Sequence, residues 1–236
     1  MFEYSQYHLL LGLTTYACIP VSYLIAMTHH YLAERFFPKQ RIQRAPTKRE
    51  IDQCMEIVRF NLTWLFFLTI LMGPFLEIVL LDMNAPLPGL RESAAKICFF
   101  LLFDDVWFYC YHRLCHAVPW LYVRLHKQHH LFTAPFPEVT LAVNPVELII
   151  ISMGTCTGPL VIFYGQTHPV LFWAYIVIRQ LLVFEDHLGF DVPFSPTKFF
   201  PLVFGGATFH DLHHQKFKCN YASTFSIIDR IFGTAK

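Results

Sequence analysis

Charge is what this sequence has least of. Only 15% of its 236 residues are Asp, Glu, Lys or Arg, against about 25% in soluble domains. The formal net charge is +1, so nothing marks a nucleic-acid-binding surface. Seven cysteines (18, 54, 98, 110, 115, 156 and 219) show no CxxC and no regular spacing, which leaves no sign of a disulfide framework or zinc finger. HExxH is missing, and no glutamate lies inside a histidine cluster to act as the base of a zinc hydrolase. The first apolar run is too long for a signal core and has no basic leader. No repeat or low-complexity tract divides residues 1–236, so a single domain is expected.

What is there is apolar. The chain is 55% hydrophobic and 17% aromatic, with a mean hydropathy of +0.41. That composition belongs to membrane proteins. Five runs approach the roughly 20 residues of a membrane-crossing helix: about 7–27, 62–81, 94–111, 146–164 and 170–184. The expected fold is all-α and polytopic, with four to five transmembrane helices. Gly165 to Pro169 reads as a tight turn joining the last two runs as a membrane hairpin. Between the first two runs lie Arg35, Lys39, Arg41, Arg44, Lys48 and Arg49. The positive-inside rule puts that loop in the cytoplasm.

Histidine is plentiful and clustered. His112 and His116 form HxxxH, while His126, His129 and His130, and again His210, His213 and His214, form HxxHH. Residues i, i+3 and i+4 share a helix face, so each cluster can aim two or three imidazoles at one point. Imidazole is the commonest metal ligand, and eight exceed the four of an ordinary zinc site. Two metals side by side are expected. The parity of five spans brings all three clusters to the cytoplasmic side. Ligand number and the apolar setting favour iron, as two ions, over zinc.

The three boxes resemble those of the membrane fatty acid hydroxylase and sterol desaturase superfamily. The resemblance extends to Asp104-Asp105 with Trp107 and Tyr109, to Glu185 through Pro193, to Cys219 through Thr224 and to Asp229 through Thr234. It covers roughly residues 94–234. Among its branches, Thr133 to Phe136, Val192-Pro193 and Ser223-Thr224 are similar to sterol 4-methyl oxidases. His210 to His214 with Cys219-Asn220 is similar to cholesterol 25-hydroxylases. Asn144-Pro145, Phe209 and Ile228 depart from the common pattern.

The resemblance implies a non-heme di-iron monooxygenase of the endoplasmic reticulum membrane. It implies dioxygen, a membrane lipid substrate, most of all a sterol, and electrons from cytochrome b5 or a similar separate carrier. It also makes His187 a ninth ligand candidate. A desaturase or fatty acyl hydroxylase would use the same centre. A membrane metal transporter is the alternative of another class, but its polar residues would lie within the spans. Asp105, two turns before His112, is a candidate acceptor for a ligand imidazole, or a partner of Arg113 or Lys127. Asp211 is read as a ligand's neighbour or as solvated. Cys115 lies off the ligand face. Trp107, Phe136 and Phe184 are read as core.

Overall fold

The computed structural model describes residues 2–75, 81–82, 85–163 and 167–236. Within them there are helices and isolated bridges but no strand. The long elements are α1 (Phe2–Phe36), α2 (Lys48–Phe75), α3 (Leu90–Ala117), α4 (Pro145–Ser152), α5 (Pro169–Asp186), α6 (Gly206–Lys216) and the short α7 (Ser226–Ile231). A π turn, Met153–Thr157, and a helical turn, Gly158–Ile162, prolong α4.

Local chemistry fixes the helix ends. Thr47 and Glu50 form a capping box that starts α2: Glu50 N–H donates to Thr47 Oγ1 at 3.2 Å, and Thr47 N–H to Glu50 Oε2 at 2.8 Å. α3 stops before Pro119, which disfavours helix at the residue ahead of it. Asn144 accepts the Val146 amide at 2.9 Å and Pro145 occupies the first turn of α4. His168 caps α5 in the same way, accepting from Val170 N–H.

The apolar surround shows in how hydroxyls are satisfied. Thr14, Ser22, Thr28, Thr63 and Thr69 each donate to the carbonyl four residues earlier. A hydroxyl so bonded needs no water. Leu10, Leu24, Phe60, Phe67 and Leu71 point outward, each more than half exposed. Leu9–Phe36 and Lys48–Met72 are long and apolar enough to cross a membrane. The second apolar helix begins well before the expected residue 62, and its expected end at 76–80 lies outside the described residues. The expected turn also falls partly on residues outside them, 164–166. The third expected run is a 28-residue helix that buries Asp104 and Asp105.

Helix α1 packs along α2 and α5, and α3 packs against α5 and the prolonged α4. Leu11, Phe100, Phe172, Tyr175 and Ile176 fill the space between α1, α3 and α5. On α4's prolongation, a Cβ at Gly154 would collide with the Trp107 ring and one at Gly158 with Phe103. The two missing side chains let α3 approach. Phe136 and Phe184 are core residues of a second cluster with Phe132 and Val139.

Candidate metal centre

The three boxes converge at one end of the bundle, and they do so as two groups. His112, His116, His126, His130 and His213 form one, and His129, His187, His210 and His214 the other. Within each group the ring nitrogens all lie within 4.8 Å of one another. All nine candidate histidines from the sequence are thus gathered. The boxes are not the groups, however. The second and third boxes each divide: residues four apart stay together, and the residue between them turns to the neighbouring group. A π turn, Tyr122–His126, leads into the second box; such turns are frequent at functional sites.

Four rings have their tautomer fixed by an acceptor. His112 Nδ1–H donates to Tyr221 O at 2.7 Å, His213 to Cys219 O at 2.7 Å and His187 to Val183 O at 3.0 Å. His126 donates to Glu147 Oε1 at 2.6 Å. A carbonyl or an ionised carboxylate only accepts, so in the neutral ring each Nε2 is a bare lone pair. Those lone pairs face other Nε2 atoms: His112–His116 at 3.2 Å, His116–His130 at 3.1 Å, His126–His130 at 2.9 Å and His130–His213 at 3.2 Å. With only His116 and His130 free to carry a proton there, at most two of the four contacts are hydrogen bonds. The rest set lone pair against lone pair, an arrangement that a cation among them resolves. The donor set therefore fits a metal.

Burial favours the neutral ring, the form that ligates, at His112, His116, His129, His130, His187, His210, His213 and His214. It lowers His187 to about 4 and His213 to about 3. His129, His210 and His214 are pushed well below the ordinary value by burial and then by neighbouring imidazoles.

Around the rings lies a shell that sequence reasoning read only in part. Asp105 touches no histidine. It accepts the backbone amides of Ser223, Thr224 and Phe225 at 2.9, 2.9 and 2.8 Å. It acts one step removed, by tying to α3 the segment whose Tyr221 carbonyl orients His112. Asp229 grips the same segment through Tyr221 N–H at 2.9 Å and Ala222 N–H at 2.7 Å. Asp211 is buried and accepts from Gln43 and Gln215, so it is not solvated. Cys115 is buried outside both groups. Trp107 is only partly covered and donates to Ile150 O at 2.9 Å. His30 bonds Leu188 O at 3.1 Å, and the side chain of His8 lies outside the described residues.

Glu147 was missed. Its signal was an acid inside the otherwise apolar run 146–164, where an ionisable group needs a reason. Phe217 was missed too. It holds a left-handed φ of 63°, a conformation that is strained for an aromatic residue. Its ring lies over His130, with centroids 4.8 Å apart.

A cavity of about 250 Å³ runs from α1 and α2 to the rings. Thr15, Ile19, Leu65 and Met72 line one end, and His126, His129, His187 and His210 the other. The cavity joins the apolar helices to the histidines through a mostly apolar lining.

Fold and site define a histidine-box protein with two long apolar helices, its imidazoles gathered in two groups suited to metal beside an apolar cavity. The chain belongs to the fatty acid hydroxylase family, whose profile matches residues 97–234. It is 34% identical to a very-long-chain aldehyde decarbonylase of rice (Oryza sativa subsp. japonica) over 84% of this chain and 64% of the relative. It is 38% identical to methylsterol monooxygenase 2-2 of Arabidopsis thaliana over 64% of this chain and 56% of the relative. Methylsterol monooxygenase 1-1 of the same plant is 33% identical over 69% of this chain and 54% of the relative. The matched region thus spans between about half and two thirds of these relatives' lengths. No solved structure matches.

Proposed function

We propose that this chain is a di-iron monooxygenase that hydroxylates a membrane lipid, most of all a sterol. One observation carries the reading: nine converging imidazoles close the end of an apolar cavity. His112, His116, His126, His130 and His213 would hold one ion, and His129, His187, His210 and His214 the other. Imidazole-only ligation would leave the ions their full positive charge, and two irons so held would, with electrons from the carrier, supply the reduction of dioxygen to an oxidant for an unactivated C–H bond. The chain's own residues orient the rings through Glu147, Tyr221, Cys219 and Val183 and exclude water through Phe217 and the buried tail. They also steer an apolar substrate along α5 to His187.

In this reading the chain is one domain of the endoplasmic reticulum membrane with four to five spans and the histidines in the cytoplasm. The electron donor is a separate protein, cytochrome b5 or a similar carrier. Exposed Arg124, Lys127, Lys216 and Lys218 flank Tyr122 and Phe217, the covering aromatics of the five-histidine group. That basic rim suits an acidic partner. The rice relative's name supports a second reading, a long-chain aldehyde as substrate.

The test supplies membranes containing the protein with ¹⁸O₂, a reduced pyridine nucleotide, the electron-transfer chain and labelled sterols, acyl lipids and long-chain aldehydes. Label entering a sterol supports the first reading. Label confined to acyl lipid replaces the sterol and keeps the chemistry, and conversion of the aldehyde alone selects the second reading. No conversion of any lipid by iron-loaded protein refutes both.

A further inference from the structure

A lipid that presents an apolar carbon to the histidines must bury its own polar oxygen elsewhere in the cavity. An oxygen left there without a partner is costly, by a few kcal/mol or more. Several hydroxyls along the lining are already committed: Thr69 donates to Leu65 O at 2.8 Å, Thr155 to Asp104 Oδ1 and Ser223 to Asp186 Oδ2. Two side chains on α5 have donors to spare. Arg179 is buried and spends Nε on Asp104 Oδ2 at 3.0 Å and Nη1 on Gln180 Oε1 at 3.1 Å. Its Nη2 has no hydrogen-bond partner among the described residues. Gln180, with its oxygen engaged, presents its amide N–H groups. Both residues line the cavity.

Their depth can be read from two helices independently. Arg179 precedes His187 by eight residues, and Asp104 precedes His112 by eight. At 1.5 Å per residue the ion pair lies about 12 Å below the histidines along both α5 and α3. Side chains lean toward the N-terminus at both levels, so the offset is kept. Ile176, Arg179, Gln180, Val183 and His187 fall on one face of the chain, and all border the cavity.

We propose that Arg179 and Gln180 form a subsite for one neutral oxygen of the lipid, a hydroxyl or carbonyl, on the order of 10 Å from the carbon that is oxidised. This rests on the lipid-oxygenase reading above and not on the aldehyde reading, in which the oxygen sits on the reacting carbon. The atoms of the subsite left without a partner are N–H donors, so it seeks an oxygen lone pair. Asp104 already balances the guanidinium, so a carboxylate gains no net charge attraction and meets a second carboxylate nearby. The substrate class is an amphiphile that enters with its apolar end toward the metals and its single neutral oxygen deep in the cavity. Oxidation then falls far from that oxygen.

The experiment measures binding of tritiated cholesterol to the full chain in detergent, with competition by unlabelled cholesterol and by cholest-5-ene, which lacks the hydroxyl. A second pair is octadecan-1-ol and octadecane. The wild type should prefer the hydroxylated member of each pair by about tenfold or more, as a hydrogen bond to a charged donor gives. Gln180→Leu, which leaves the Arg179–Asp104 pair intact, should cut that preference several-fold while binding of cholest-5-ene is unchanged. Arg179→Lys, which keeps the charge pair and removes the guanidinium fork, should cut it further. A wild-type preference near one, or one that survives Gln180→Leu, overturns the subsite, as does a lack of saturable binding.

Turnover separates this inference from the broader function. Preference without ¹⁸O incorporation would refute the oxygenase and keep the subsite. Incorporation without preference would do the reverse. In active protein, oxygen should enter remote from the hydroxyl, as in the cholesterol 25-hydroxylase branch, and oxidation beside it, as at a sterol 4-methyl group, contradicts the proposal.

Discussion

Glu147→Ala is the most informative single change near the rings. The carboxylate and His126 are only 1% and 2% exposed and meet at 2.6 Å. A buried hydrogen bond to a charged group is worth about 1.5–3 kcal/mol, and loss of such a supporting partner typically lowers metal affinity about 10–100-fold. Alanine removes the acceptor and leaves the Nδ1–H of His126 unpaired and its ring free to turn. Glutamine keeps an acceptor and loses only the charge, so its effect should stay within about tenfold. His126 belongs to the five-histidine group alone. The loss should therefore fall on one of two metals, leaving the four-histidine group at wild-type affinity. Titration of the purified full chain with Fe²⁺ or Co²⁺ against a chromogenic chelator resolves the two steps, and a thermal melt confirms the fold. A folded Glu147→Ala variant holding both ions as tightly as wild type would refute the role given to Glu147.

Three further outcomes follow from the same geometry. His187 and His213, lowered to about 4 and about 3, stay neutral in the folded state where the unfolded chain takes up protons below about 6.5. Metal-free protein should hold its full stability above about pH 6.5 and lose it as pH falls toward 4, by on the order of 3 kcal/mol for His187 alone; a melting temperature unchanged between pH 7 and pH 5 contradicts this. Asp105→Ala releases three backbone amides and should cost at least about 3 kcal/mol, read as a lower melting temperature and faster proteolysis after Lys216 or Lys218. Glycosylation acceptors placed near residue 87 should be modified and those near 40 or 218 should not, and the opposite pattern would invert the topology.

The boxes were legible because imidazole spacing on a helix is a local property. How they divide between two groups was not, since that depends on the π turn at Tyr122–His126 and on how closely α3, α5 and α6 approach. The apolar runs located five helical segments, yet α2 starts at Lys48 because its cap is Thr47, a signal that hydropathy ignores. Asp105 shows the limit most clearly. Its spacing along α3 pointed to His112, but its partners lie 118 to 120 residues away in the tail. The carbonyls of Cys219 and Tyr221 that orient ligand rings belong to the backbone, so no side-chain pattern announces them.

The central claim is that two histidine groups hold two ions. Elemental analysis with Mössbauer spectroscopy, on protein made in iron-supplemented cells, tests it most directly. The account predicts two irons per chain, falling to one when His126 and His213 are both replaced by alanine and the other group is left whole. One ion per chain, or none, in folded wild-type protein would contradict it.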